Sequence, residues 1–263
     1  MKQSINKFNT FAAKELRENI RTKKLFALFC VFIFIALLSV LTARFMSEIF
    51  GGMLGAEGTM PFVIMMPDPV WTDSYAQLYS NLSEMGALIF IVLFMGIILK
   101  EKTSGTIDLM MAKGLSCTAF IMAKFAVAAA ITLISLVITV LVTYVYTLAL
   151  FDYAGNIGHV FLGALPFGVF ILMMLSITIM WSAIAKSTAI CATLSLVSFF
   201  LIILIDIIPW VGRYTPGNLL GHSMAISVTG VVGDNMGIQM GVAVIVTVLA
   251  LCIAVHVLRR REG

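Results

Sequence analysis

The sequence predicts an all-α membrane protein with six transmembrane helices and both termini in the cytoplasm. Of its 263 residues, 61% are hydrophobic and 11% are charged, whereas soluble domains are usually about 45–50% apolar and about 25% charged. One globular core of this size cannot hide so many apolar side chains. The composition therefore excludes soluble enzymes, nucleic-acid-binding proteins and disordered scaffolds, and we interpret residues 1–263 as a single transmembrane domain.

Six apolar segments are long enough, or nearly so, to cross a bilayer core about 30 Å thick, which takes about 20 residues of helix. These segments lie at about 25–42, 82–99, 119–150, 160–184, 190–208 and 238–257. The second is the weakest, because Ser83 and Glu84 precede its unbroken apolar run, and the third is the longest. None shows the two-residue alternation of a barrel strand, so we predict helices.

Lysine and arginine are distributed unevenly around these spans. Fifteen of the 17 fall on one side of a six-span path, and only Arg44 and Arg213 fall on the other. Positive residues concentrate on the cytoplasmic side of membrane proteins. We therefore predict cytoplasmic termini and a multi-pass protein of the cytoplasmic (inner or plasma) membrane. Trp71, Trp210 and the tyrosines lie at or beyond the outer ends of spans, as an interfacial aromatic belt requires.

The N-terminal arm, residues 4–22, has the pattern of an amphipathic helix that lies in the membrane interface. Basic residues alternate with apolar ones that recur at helical spacing. The apolar residues are Ile5, Phe8, Phe11, Ala12, Leu16 and Ile20. Membrane lipid is thus an expected partner. The alternative is a frayed basic leader that only sets the orientation of the first span.

Two outer segments are longer than the topology requires. Segment 44–81 contains Pro61, Pro67 and Pro69, which predicts an irregular or partly helical cap. Segment 209–237 contains Pro216 and several glycines around a moderately apolar centre. We predict that it forms re-entrant outer helices between the fifth and sixth spans.

No catalytic motif stands out in the sequence. The phosphate-binding GxxxxGK[ST] loop is missing, because neither the Lys-Thr pair at Lys102 nor the Lys-Ser pair at Lys186 follows a glycine. HExxH, GxSxG and metal-type cysteine pairs are also missing. We therefore predict that the chain is not an enzyme and carries no metal or cofactor of its own. The spans have almost no charge at mid-membrane, which disfavours a secondary carrier.

The cytoplasmic loop 100–124 is the most informative segment. Ser104 is predicted to cap a short helix and Gly114 to end it. The apolar face of that helix consists of Ile107, Met110 and Met111. A short helix held just below the membrane suits docking into a groove on another protein. The alternative is a plain connecting loop whose methionines touch lipid.

This loop resembles the segment between the second and third spans of ATP-binding-cassette (ABC) exporter permeases of the type-2 family. The matching residues are Glu101, Gly105, Thr106, Leu109 and Lys124. The family's usual proline and arginine are replaced by the sequence GLSC at 114–117, and Ala123 replaces the glycine before Lys124. The segment KELRENIRTKK at 14–24 is similar to the family's interfacial helix. Segment 209–237, with Tyr214 and Pro216, looks like its paired outer helices.

The resemblance implies a permease subunit that exports a substrate using ATP hydrolysis by a separate ABC ATPase subunit, which binds the ATP and Mg. Such permeases work as a homodimer or with a paralogous permease. The loop helix would be the coupling helix, which docks the ATPase. The implied docking residues are Glu101, Gly105, Thr106, Asp108, Met110 and Met111. The alternatives are a non-transporting membrane adaptor or immunity protein and, less favoured, a secondary carrier.

A stripe of hydroxyl residues follows one face of the third span. Its members are Thr132, Ser135, Thr139 and Thr143. They either line a translocation cavity or pack helices together through small polar side chains. We favour packing over cavity lining.

Overall fold

The computed structural model describes residues 2–21, 23–55, 68–112 and 114–260. Within these ranges the chain is helical and contains no strand, which confirms the all-α prediction. The α-helices in chain order are α1 Lys2–Arg21, α2 Lys24–Gly55, α3 Trp71–Asn81, α4 Ala87–Phe94, α5 Leu99–Thr103, α6 Thr106–Ala112, α7 Cys117–Phe151, α8 Ile157–Ile184, α9 Thr188–Asp206, α10 Pro209–Gly212, α11 Leu219–Thr229 and α12 Met236–Arg259.

Six stretches of the described residues are long and apolar enough to cross a membrane, as the sequence predicts. They are Leu25–Met46, Trp71–Thr103, Cys117–Phe151, Ile157–Ile184, Thr188–Asp206 and Met236–Arg259. Side-chain caps define several of their starts. Ser116 Oγ accepts a hydrogen bond from the Ala119 amide at the start of α7, and Ser187 Oγ accepts one from the Ile190 amide at the start of α9.

The second span begins much earlier than predicted. It starts at Trp71, not near residue 82, because α3 continues through a π-helical turn at Leu82–Gly86 into α4. The prediction for segment 44–81 is an irregular or partly helical cap, and its described residues are mostly helical, in α2 up to Gly55 and in α3 from Trp71, whereas residues 56–67 lie outside the described ranges. The local sequence of α3 is polar, but Tyr75 and Leu78 are fully buried against the bundle. Burial of this one face makes the helix form where hydropathy alone does not indicate a span.

Helix α8 lies at the centre of the bundle and packs against α7, α9, α11 and α12. Small residues allow a close approach between α8 and α11, where Gly163 faces Ser223 and Ser227. Tyr79 of α3 reaches the same place, with its hydroxyl 3.1 Å from Ser227 Oγ. The predicted short helices between the fifth and sixth spans are present as α10 and α11. Their re-entry into the outer leaflet stays a prediction.

Gly163→Ala should destabilise the protein by about 1–3 kcal/mol, the usual cost of overpacking. A Cβ atom at this position would lie 2.6 Å from the backbone oxygen of Ser223, which cannot move away as a flexible side chain can. Gly168→Ala in the same helix is the control, because its nearest neighbour is the tip of Leu133 at 3.4 Å. Thermal unfolding in detergent measures both variants. Equal stability of the two would show that α8 and α11 do not pack this closely.

Candidate functional site

The N-terminal helix α1 and the loop after the second span meet at one end of the bundle. Helix α1 packs against α7 and α2. Phe11 of α1 is buried and stacks on Phe120 of α7, with ring centroids 5.4 Å apart. Leu16 and Ile20 of α1 are exposed. Among the described side chains of α1, Phe11 therefore packs inward while Leu16 and Ile20 lie on the surface, and the interfacial position of the helix stays a prediction.

Lys124 of α7 is the centre of a buried charge cluster at this end. Its Nζ atom lies 2.9 Å from Glu15 Oε2 of α1 and 3.2 Å from Glu101 Oε1 of α5. All three residues are more than nine-tenths buried. Buried charges are costly unless they are paired, so the ion pairs hold three separate elements together.

Lys14 and Glu18 extend the cluster to the surface. Lys14 Nζ lies 3.3 Å from Glu18 Oε2 and 3.5 Å from Glu101 Oε1, and its side chain is about half exposed. Partial burial lowers the pKa of Lys14, but the carboxylates of Glu101, Glu15 and Glu18 outweigh that effect and raise the pKa overall. Lys14 therefore stays positively charged at neutral pH.

Glu15, Glu18 and Glu101 place carboxylate oxygens within 4.8 Å of one another, a spacing that metal sites use. Here the ammonium groups of Lys14 and Lys124 lie within 3.6 Å of these acids. The two positive charges oppose a divalent cation at the same place. The arrangement is an ion-pair network that joins helices.

The predicted coupling helix is present as α6, between two glycine turns. Gly105 has φ +69° and Gly114 has φ +80°, conformations that favour glycine. The end of the helix at Gly114 is confirmed, because the Gly114 amide donates to the Met111 carbonyl at 2.8 Å. Ser104 lies at the junction of the two helices, where its hydroxyl is 3.2 Å from the Glu101 carbonyl of α5 and 2.6 Å from Thr106 Oγ1, at the first residue of α6. A cap of the α6 start by Ser104 stays a prediction.

The apolar face of α6 turns inward. Ile107 is buried, and Met110 and Met111 are half-buried against the hydrophobic core. Leu109 is the large apolar residue of this helix that points outward, with 59% of its surface exposed. The helical periodicity of the sequence could have predicted this outward position, because Leu109 lies off the face that Ile107, Met110 and Met111 share.

The other implied docking residues fall in different surroundings. Gly105 is exposed and Thr106 is half-exposed, while the side chain of Asp108 lies outside the described residues. Glu101 is buried with Lys124, so its carboxylate is not on a docking surface and instead fastens α5 to the bundle. Lys124 lies inside the third span and requires the Glu101 carboxylate as a buried partner. A glutamate on a docking surface could not provide that pairing.

The hydroxyl stripe of the third span lies inside the bundle. All four residues are fully buried. Each hydroxyl donates to the carbonyl one turn earlier in α7, at 2.8–3.0 Å. Side chains satisfied within their own helix suit close packing, which supports packing over cavity lining.

Lys124→Met should destabilise the protein by about 3–5 kcal/mol, because it leaves Glu15 and Glu101 buried without their main partner. Lys14→Met is the matched control. It removes a lysine from the same cluster, but Lys14 is half exposed, so the expected cost is below about 1 kcal/mol. Thermal unfolding in detergent compares the two variants. A similar loss from both would show that Lys124 is not the residue that holds the cluster together.

A family model described as "ABC-2 family transporter protein" matches residues 10–217. A search of curated proteins found no match. The matched region holds most of α1, the charge cluster, the predicted coupling segment α5–α6 and five of the six spans. The chain belongs to the ABC-2 family of transporter proteins and is a multi-pass permease subunit for membrane transport.

Proposed function

We propose that this chain is the membrane-spanning half of an exporter that is driven by ATP hydrolysis in a separate ATPase subunit. The observation that carries the proposal is the way α6 is held: a short helix outside the spans, fixed at both ends and fastened to the bundle. ABC-2 permeases generally pair with an ATPase subunit. A rigid helix at the inner end of the bundle is the element on which such a subunit can act.

The support beneath α6 consists of apolar packing and buried charge. Ile107, Met110 and Met111 rest on the hydrophobic core. Just before α6, Glu101 binds Lys124 of the third span. A displacement of α6 by the ATPase subunit is therefore expected to move the attached spans and not only to bend a loop. This attachment supports a coupling helix over the plain connecting loop that the sequence left open.

The docking surface in this proposal is centred on Leu109. An exposed leucine on a fixed helix can fill an apolar pocket of a partner, and such central apolar contacts dominate many interfaces. The surrounding docking residues are Gly105, Thr106 and Asp108, together with the parts of Met110 and Met111 that the core leaves exposed. Glu101 positions the helix from inside. The turn at 185–189 supplies a second, smaller contact through the exposed Lys186.

The working assembly contains two permeases and two ATPase subunits, which bind ATP and Mg. The second permease is another copy of this chain or a paralogue. The concentration of lysine and arginine on the side of the coupling segment supports a cytoplasmic position for α6, in the cytoplasmic membrane, where ATP is available.

Leu109→Asp should abolish binding of the ATPase. The tagged protein is purified from its native membrane in mild detergent, co-purifying chains are identified, and vanadate-sensitive ATP hydrolysis is measured. A charge at the centre of an apolar contact is expected to lower both the recovered ATPase and the hydrolysis at least about tenfold.

Thr118→Asp is the matched control, since it adds the same charge at an exposed position of the same end of the bundle, outside α6. It should leave ATPase recovery unchanged. Equal loss in both variants would move the docking surface away from Leu109. Recovery of no ATPase with the unmodified chain would contradict the exporter proposal and favour a membrane adaptor or immunity protein.

A further inference from the structure

The second span is interrupted just before the coupling segment. Helix α4 ends at Phe94 and α5 begins at Leu99, and between them the amides of Ile98 and Leu99 leave the helical hydrogen-bond pattern, which the amides of Met95 and Lys100 on either side keep. In a continuous helix, the amides of Ile98 and Leu99 would donate to the carbonyls of Phe94 and Met95. Both amides donate instead to one hydroxyl oxygen on α8, Ser182 Oγ, at 3.1 Å each.

Ser182 is fully buried and uses its whole hydrogen-bonding capacity at this break. Besides accepting from two amides, its hydroxyl donates to the Met95 carbonyl at 3.0 Å. An unsatisfied backbone group inside a membrane protein costs several kcal/mol. One side chain of α8 therefore holds the interrupted backbone of the second span in place.

Lys102 makes a second attachment between the same two elements. Its Nζ atom donates to the Ala183 carbonyl at 3.0 Å and to the Ala185 carbonyl at 2.8 Å. These carbonyls lie at the C-terminal end of α8, where helix carbonyls lack partners within the helix and where a positive charge is favourable. Helix α5 is thus joined to α8 at its start, through the Ile98 and Leu99 amides, and further along, through the Lys102 side chain.

Neighbouring residues of α5 attach it to different parts of the bundle. Glu101 binds Lys124 of α7, whereas Lys102 binds the end of α8. From there the chain reaches α9 within a few residues. Side chains therefore tie α5 to α7 and α8, whereas its backbone link to the rest of the second span lacks the helical hydrogen bonds of Ile98 and Leu99.

We propose that Ser182 and Lys102 are positioning residues that transmit movement of the coupling segment to α8 and α9. Because the second span lacks the helical hydrogen bonds of the Ile98 and Leu99 amides, its own backbone is a weaker link there than an unbroken helix. The side chains of Ser182 and Lys102 form a clamp, which carries the displacement of the coupling segment across to α8, the fourth span. The transmission step rests on the proposed function, whereas the clamp is a property of this chain alone.

Hydrogen exchange of the purified chain in detergent tests the clamp without any partner. Ser182→Ala removes the acceptor of the Ile98 and Leu99 amides, so exchange in a peptide covering 96–101 should rise about tenfold. Ser176→Ala is the matched control, since Ser176 is equally buried on α8 but donates within its own helix, to the Met173 carbonyl. Unchanged exchange at 96–101 in Ser182→Ala, or an equal rise in Ser176→Ala, would overturn the clamp.

The transmission step is tested in the complex with the co-purified ATPase. Spin labels on cysteines introduced at Thr118 of α7 and Thr193 of α9, in a background without the native cysteines, report the distance between these helices. Adding ATP and vanadate should change that distance in the unmodified complex. In Lys102→Met the change should be lost while the ATPase stays bound, and Lys102→Arg, which can still donate to two carbonyls, should restore it.

The outcomes separate the two proposals. A distance change in Lys102→Met as large as in the unmodified complex would overturn transmission through the clamp, and would leave the exporter assignment standing. Absence of any co-purifying ATPase would overturn the proposed function and the transmission step with it. The hydrogen-exchange result decides the clamp in either case.

Discussion

The ammonium group of Lys124 must be neutralised inside the bundle, and the architecture of one end of this protein follows from that need. A charge removed from water is tolerated only with close partners. Glu15 and Glu101 supply them, at 2.9 and 3.2 Å. To do so, α1 must lie across the third span and α5 must return against it. The pairing explains why a basic N-terminal helix and the loop after the second span, distant in sequence, form one structural unit.

The same end of the bundle shows how a short helix can serve several attachments. Helix α5 has only five residues, yet its side chains contact α7 through Glu101 and α8 through Lys102. Beyond it, Gly105 permits the turn that starts α6. A short segment is thus held in place by side-chain bonds to two other helices, without a long helix of its own. The proposed coupling role would use this attachment.

Packing elsewhere in the bundle depends on small and hydroxyl-bearing residues. Lipid chains are as apolar as leucine, so helices in a membrane associate through close contact more than through the hydrophobic effect. Gly163 opposite Ser227, and the buried hydroxyls of α7, follow this rule. The hydroxyl stripe shows that polar residues in a span do not by themselves indicate a substrate path, because each of these hydroxyls is satisfied by its own helix.

The sequence by itself determined the all-α class, the six spans and the presence of a short helix that ends at Gly114, because these depend on local hydropathy, length and turn residues. Only the tertiary structure decided that the second span starts at Trp71, that Glu101 faces inward and Leu109 outward, and that Ser182 holds an interrupted helix. Each of these features depends on a partner far away in the chain: Lys124 for Glu101, and Ile98 and Leu99 for Ser182. Local patterns report what a residue is suited to contact, but only the packed bundle selects its partner.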